Sequence, residues 1–206
     1  MTRTSKLPGP RGTAPEMAPG PDDGERPMRA DARRNRQRVF DAARQLFAVP
    51  GNDPSMEQIA RAAGVGVGTM YRNWPSRSAL VEAIYRDDLA ELRTLAERHH
   101  AEQQPWDALV GWLRDYLGHV QTKRGMLAEL GAAFDARPEL LTDSRRRVLD
   151  AAAIVLAPAR DAGVVRAELT ESDLVQLVRG MVLPAVTPPA RYPFLLEIVL
   201  AGIRVD

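Results

Sequence analysis

The side chains best suited to molecular recognition are concentrated in one stretch of the chain, residues 55–80. Hydroxyl, phenol and guanidinium groups are provided there by Ser55, Thr69, Tyr71, Arg72 and Arg77. Groups of these types donate hydrogen bonds to phosphate oxygens and to the acceptor edges of bases. The stretch therefore has the chemistry that a surface facing a nucleic acid requires.

Side chains for catalysis or for metal binding are not grouped in this way. The sequence contains no cysteine and no nucleophile paired with a base at a characteristic spacing. Its histidines are His99, His100 and His119, and the first two point about 100° apart on a helix, so they cannot clamp one metal ion. The glycines from Gly64 to Gly68 follow a helix and lack the spacing of a phosphate loop. We predict no enzyme activity, no metal and no cofactor.

Two short helices and a glycine turn must position the recognition side chains. Residues Ser55-Met56-Glu57-Gln58 match a capping box, which predicts the start of a helix. Gly64 predicts its end, and Pro75 ends the next helix. The inner and flanking positions of that next helix are Val67, Met70, Tyr71 and Trp74. Together they predict a helix-turn-helix, in which one helix enters a major groove about 12 Å wide and the other braces it.

The rest of the chain has the apolar spacing of further α-helices. A first helix from Asp31 to Pro50 carries an apolar stripe at Val39, Ala42, Ala43, Leu46 and Phe47. A long fourth helix begins at Ser76 and meets no helix breaker before Pro105. Five more helices are predicted at residues 105–123, 125–134, 138–162, 170–182 and 193–205, the last two separated by a proline loop. No alternating strand pattern is present, so we predict an all-α fold of about nine helices.

Charge and composition divide the chain into three segments. Residues 1–28 carry six prolines and few large apolar side chains, which predicts a disordered tail whose basic residues could reach DNA. Residues 29–86 hold ten basic and five acidic residues, whereas residues 87–206 hold fourteen and eighteen. Only the middle segment is therefore expected to face a polyanion. Without cysteine, a signal-peptide core or a membrane-length apolar run, the protein is expected to be cytoplasmic, and nucleoid-associated when bound to DNA.

Two runs carry a resemblance to a known family: Ile59-Ala60-Arg61-Ala62-Ala63-Gly64-Val65, and Gly68-Thr69-Met70-Tyr71-Arg72-Asn73-Trp74-Pro75-Ser76-Arg77-Ser78-Ala79-Leu80. They closely resemble the signature of the tetracycline-repressor (TetR) family, and the resemblance extends over residues 36–86. The sequence departs from that pattern at Gly66 and Val67, where a serine or threonine cap and a base-reading position are usual, and at Trp74, where phenylalanine is commoner. The first departure weakens hydrogen-bond readout at that point.

The resemblance implies a role for each polar residue of the motif. Tyr71 and Arg77 would contact phosphates, and Ser55 would offer its hydroxyl and the amides of its helix to a phosphate. The candidates for facing base edges are Val67, Thr69 and Arg72.

From the residues alone, other interpretations stay open. Tyr71 could complete the small core, and Arg77 could be a solvated first-turn arginine. Arginines at positions 33, 34, 36 and 38 could contact the DNA backbone or form a solvated helix face.

The larger acidic segment, residues 87–206, is expected to bind a ligand. Aromatic and soft side chains that could line a cavity are Trp106, Trp112, Tyr116, His119, Met126 and Phe134. They could equally be packed core. The segment from Trp112 to Leu130 weakly resembles the regulatory domains of some TetR-like proteins, and an apolar or amphipathic small molecule is the default ligand class.

The last two helices are expected to form the interface of a homodimer. Apolar side chains surround most of the final helix, so one chain's core can hardly cover it. Predicted interface residues are Leu174, Leu177, Met181, Leu195, Ile198 and Val199. The resemblance implies an intersubunit four-helix bundle at this position.

We thus predict a ligand-responsive transcriptional regulator, and more specifically a repressor. It is expected to bind a palindromic DNA operator as a homodimer and to be released by a small-molecule effector. The alternative is a helical small-molecule-binding protein with vestigial DNA contacts, which the changes at Gly66 and Val67 favour.

Overall fold

The structure is a computed structural model that describes residues 25–49, 51–182 and 187–205. Within these ranges the chain forms nine α-helices, one 3-10 turn and no strand, so the all-α prediction is confirmed. The helices are α1 (Glu25–Ala48), α2 (Met56–Ala63), α3 (Val67–Asn73), α4 (Arg77–Glu102), α5 (Pro105–Gly125), α6 (Leu127–Ala136), α7 (Pro138–Asp161), α8 (Glu171–Val182) and α9 (Tyr192–Ile203).

The first three helices pack around the apolar stripe of α1. Val39, Ala43 and Phe47 are buried there, as predicted, together with Phe40. Packing on this stripe stabilises α2 and α3, because helices as short as these two are marginal in isolation.

Helix α1 begins at Glu25, six residues before the predicted start at Asp31. Residues 25–28 of the predicted tail are therefore helical. Pro27 lies in the first turn, where its missing N–H costs no intrahelical hydrogen bond. The remainder of the predicted tail, residues 1–24, lies outside the described residues.

The larger part of the molecule is built around α4. This helix starts at the cap Ser76, whose hydroxyl accepts a hydrogen bond from the Ala79 amide at 3.1 Å, and it packs along α5 and α7. Helix α5 also packs against α8 and supplies the fully buried Trp112 and Leu113. Because α4 begins shortly after α3 and packs along α5 and α7, it connects the two halves of the chain.

Two further contacts connect α1 to the larger part. Arg44 of α1 donates to Asp88 of α4 at 2.6 Å and to Asp87 at 2.8 Å. Gly125, at the end of α5, lies against the backbone of Phe47, and a Cβ atom there would stand 1.9 Å from the Phe47 carbonyl oxygen. Only glycine permits this approach.

The end of α9 differs from the prediction. The helix ends at Ile203, two residues before the predicted end, because the chain pairs with the segment after α7: Arg166 N–H donates to the Ile203 carbonyl and Val205 N–H to the Val164 carbonyl, both at 3.1 Å. Between α8 and α9, Pro189–Arg191 form the 3-10 turn, while Pro184 lies outside the described residues. Among the helices described, none has the length and apolar character to cross a membrane.

Candidate nucleic-acid interface

Helix α2 is held at both ends by the local interactions that the sequence predicts. The Ser55 hydroxyl accepts a hydrogen bond from the Gln58 amide at 3.2 Å, and the Gln58 side chain accepts one from the Ser55 amide at 2.7 Å. At the other end Gly64 adopts φ 62°, a left-handed conformation that glycine tolerates best. The turn that follows leads directly into α3.

Helix α3 has one buried side and one open side. Met70 is fully buried, and Trp74, just past the helix end, packs on Phe40 of α1 with ring centroids 5.6 Å apart. On the open side Val67 and Tyr71 are 40% and 41% exposed. The interpretation of Tyr71 as a core residue is therefore wrong, because Met70 and Trp74 fill that place.

The phenol of Tyr71 is oriented by α2. Its hydroxyl donates to Glu57 Oε1 at 2.9 Å. The pKa of the Glu57 carboxyl is lowered by hydrogen bonds from its own backbone, from Ser55 and from Tyr71, and the pKa of Tyr71 is raised, first by its bond to Glu57. A phenol has one proton to donate, so a phosphate oxygen at this point must replace Glu57 as its acceptor.

Arg72 and Thr69 lie together on α3. Arg72 Nη2 donates to the Thr69 hydroxyl at 2.9 Å, and the Asn73 side chain donates from Nδ2 to the Thr69 carbonyl at 2.8 Å. The Arg72 side chain is thus held along the exposed side of the helix. The N-terminal cap of α3 is Gly66, which provides no side-chain hydrogen bond.

Arg77 is engaged with acidic groups of the protein. Its guanidinium pairs with Asp53, its Nε lies 2.9 Å from Glu129 Oε1 of α6 without hydrogen-bond alignment, and the group stands 5.3 Å from the Phe47 ring centroid. The side chain is only 22% exposed, so it is not the solvated arginine considered above. Phosphate contact would require exchange of these partners. Asp53 and Glu129 were missed in the sequence because they lie 24 and 52 positions away from Arg77.

A groove of about 530 Å³ runs between α1 and α3 and adds basic groups to this surface. Its walls include Arg33 and Arg36 of α1 with Thr69 and Asn73 of α3. The arginines of α1 therefore differ in their surroundings. Arg33 and Arg36 flank α3, whereas the Arg34 guanidinium pairs with Asp31.

The residues predicted to bind a ligand separate into two groups. Tyr116 and His119 line one cavity of the larger part, and Phe134 lines a cavity that adjoins it. Trp112 is instead packed core: it stacks on Tyr116 and its indole N–H donates to the Leu92 carbonyl at 3.0 Å. Met126 is fully buried, and Trp106 lies under the Arg204 guanidinium. These three side chains do not line the two cavities.

The predicted dimer residues also divide. Leu177 of α8 and Ile198 of α9 are 41% and 53% exposed, and Met181, Leu195 and Val199 are partly buried. Leu174 is fully buried within the chain's own core, which corrects its place in the predicted interface. A partner chain cannot reach it, because it faces inward one turn before Leu177.

This geometry defines the class of the protein: a helix-turn-helix regulator with a DNA-binding unit, α1 to α3, and a larger helical part. The family model described as bacterial regulatory proteins, tetR family, matches residues 39–84, and that described as transcriptional regulator SbtR-like, C-terminal domain, matches residues 104–205. The chain belongs to the TetR family of transcriptional regulators.

Solved structures agree with this assignment over nearly their full length. TetR transcriptional regulator SCO0520 from Streptomyces coelicolor is 35% identical, with a TM-score of 0.72, covering 82% of this chain and 98% of that one. A TetR regulatory protein from Mycobacterium vanbaalenii is 31% identical, with a TM-score of 0.68, covering 87% and 100%. An HTH-type transcriptional regulator of Staphylococcus aureus is 30% identical over 94 residues, 43% of this chain and 51% of its own length. The match thus spans about half of that curated relative.

Proposed function

We propose that this regulator is a ligand-responsive repressor that binds a palindromic operator as a homodimer, without catalytic activity, in the cytoplasm. The observation that carries the proposal is the open side of α3. Val67, Tyr71 and Arg72 are exposed there, while Met70 anchors the opposite side of the helix. Arg33 and Arg36 border the same surface, so a groove-inserted helix would have cations on its flank.

The apolar surface of α8 and α9 supports the dimer. Leu177 and Ile198 are exposed, and Phe194, next to Leu195, is 46% exposed. Large apolar side chains that share one exposed surface favour burial against a second copy. A two-fold dimer presents two α3 helices, which suits an inverted repeat whose half-sites lie about one helical turn of DNA apart.

The contacts of α4 support a ligand response. Tyr85 and Glu82 line a cavity of the larger part, and both lie on α4 within three turns of Arg77. Arg77 in turn joins α4 to Asp53, just before α2, and to Glu129 of α6. A ligand in the cavity that prefers one position of α4 would shift the population of the DNA-binding state by its differential affinity for the two states.

Selection of bound duplexes from a random DNA library by the purified protein tests the proposal. An inverted repeat should be enriched, and its affinity should fall with salt with a log–log slope of about −4 to −5. Arg72→Ala should change the sequence preference, whereas Arg77→Ala should weaken binding to every sequence alike. Arg93→Ala, which changes an exposed arginine of the same helix paired with Glu97, is the matched control and should leave the DNA affinity unchanged.

A selection that enriches no sequence, with a flat salt dependence, would instead favour a small-molecule-binding protein with vestigial DNA contacts. The observation that favours this alternative is the absence of a side-chain cap at Gly66.

A further inference from the structure

Two adjoining cavities between α4, α5, α6, α7 and α8 share the side chains of Tyr85 and Ser144. The larger, about 270 Å³, has apolar walls that include Leu89, Leu130 and Phe134. The smaller, about 30 Å³, is bordered by cations and phenols: Lys123, Arg145, Arg179, Tyr85 and Tyr116. The larger cavity also has both acidic and basic residues in its walls, whereas every charged residue that lines the smaller one is basic.

Lys123 has no anionic partner in the part of the chain that the structure describes. Its Nζ donates to the Tyr85 hydroxyl at 3.2 Å and stands over the rings of Tyr85 and Phe134, at 4.9 and 5.4 Å from their centroids. Among the residues that the structure describes, no carboxylate oxygen lies within 4.0 Å of Lys123 Nζ or of the Arg179 guanidinium. Two neighbouring cations therefore face the smaller cavity without a counter-charge from the described residues.

The acidic residues near the cavities are already paired. Glu82 forms ion pairs with Arg86 at 2.6 Å and with Arg137, and Asp143 forms ion pairs with Arg146 and Arg147. Glu82 and Asp143 both line the larger cavity, and no acidic residue is among those that line the smaller one. Within the described ranges, no carboxylate compensates the charge of Lys123 and Arg179.

His119 adds an unpartnered polar group to the same wall. Its side chain is 6% exposed and its Nδ1 has no hydrogen-bond partner, the nearest carboxylate oxygen being Asp88 Oδ2 at 3.8 Å. Burial, with smaller contributions from Lys123 and Arg44, lowers the pKa of the imidazole to about 3, so it is neutral at pH 7. A neutral imidazole adds no negative charge to offset the two cations.

Lysine is rare in this chain, which makes its placement informative. It occurs only at Lys6 and Lys123, and every other basic residue apart from the histidines is arginine. Burial, and then the neighbouring Arg179, lowers the pKa of Lys123 to about 8, so the ammonium is still mostly charged at neutral pH. A largely buried charge is costly without a counter-ion, and a ligand can supply one.

We propose that this space binds a small organic carboxylate, whose anionic group pairs with Lys123 and Arg179 and whose apolar body lies against Leu130 and Phe134. The proposal deepens the ligand response proposed above and rests on it for its effect on DNA binding. A carboxylate is favoured over a phosphate ester because Arg145 is exposed, which leaves one ammonium and one guanidinium, Lys123 and Arg179, to match a single charge and two oxygens.

Calorimetric titration with matched probes tests the proposal. The probes are 4-phenylbutyrate and octanoate, their neutral amides 4-phenylbutyramide and octanamide, and phenyl phosphate. At least one carboxylate should bind at least about ten-fold more tightly than its amide, as expected for a charge-assisted contact. Lys123→Met should remove that preference, and Lys6→Met, which changes the only other lysine, should keep it. Circular dichroism confirms that each variant is folded.

Three results would overturn the proposal: no carboxylate binds, the amides bind as tightly as the acids, or Lys123→Met keeps the preference. Tighter binding of phenyl phosphate than of both carboxylates would also overturn it. The same protein preparations are titrated with the duplex selected from the random library. Duplex binding without carboxylate binding refutes this inference alone, whereas carboxylate binding without duplex binding refutes the proposed function and leaves the site intact.

Discussion

Replacing Gly125 with alanine should loosen the contact between α1 and α5. The added Cβ would stand 1.9 Å from the Phe47 carbonyl oxygen and 2.8 Å from its carbonyl carbon. Both are backbone atoms, so no side-chain rotation relieves the overlap. The two helices must separate by about 1 Å, and overpacking of this kind costs roughly 1–3 kcal/mol.

Gly118→Ala on the same helix is the matched control. A Cβ at Gly118 meets no other atom within 4 Å. Alanine is the better helix former, so this variant should gain about 0.5–1 kcal/mol. The same substitution is therefore expected to have opposite signs at two positions of α5.

Urea unfolding at one fixed protein concentration measures both variants, because a dimer makes the midpoint depend on concentration. Gly125→Ala should unfold at lower urea than wild type, and Gly118→Ala at higher urea. Gly125→Ala should also bind the selected duplex more weakly, since Phe47 belongs to the helix that supports α3. A Gly125→Ala protein with a wild-type or higher midpoint would refute the reasoning.

Four other outcomes are expected. Ser55→Ala removes the hydroxyl that caps α2 and should lower the free energy of unfolding by about 1 kcal/mol in urea titrations, with Ser55→Asp recovering most of it. The pKa of Lys123 is lowered from 10.5 to about 8, so its contribution to stability falls as the pH is lowered from 10.5 to about 8 and is constant below that. The advantage of Lys123→Met over wild type should therefore grow between pH 10 and about pH 8 and then level off, and an equal response of both proteins would contradict this. Ile198→Glu places a charge on the apolar surface of α8 and α9 and should convert dimer to monomer in sedimentation experiments, whereas Glu197→Ala should not. Tyr71→Phe should reduce affinity for all duplexes by about the same factor without changing the selected sequence, and a changed sequence would show that the phenol reads bases.

The secondary structure near the candidate DNA surface was predictable because its signals are local. The capping box at Ser55, the left-handed Gly64 and the stop at Pro75 each act within a few residues, and all three appear in the structure as predicted. The start of α1 was not predictable in this way, because a proline in the first turn of a helix looks the same in the sequence as a proline in a tail.

The ligand and dimer residues were predictable only in part. Aromatic side chains on helix faces have the same pattern whether they line a cavity, as Tyr116 does, or fill a core, as Trp112 does. On α8, Leu174 and Leu177 lie within one turn of each other, yet the first is buried and the second exposed. Helical spacing identifies an apolar face but not how much of it the chain's own packing covers.

The sequence by itself determined the all-α class, the helix-turn-helix and the resemblance to the TetR family, because helix caps, glycine turns and motif spacing are properties of neighbouring residues. Only the tertiary structure decided that Arg77 is engaged by Asp53 and Glu129, and that Lys123 lines a cavity where no described residue supplies a counter-charge. These facts depend on which helices pack together, since the groups concerned come from distant parts of the chain and their energies depend on burial and partner distance.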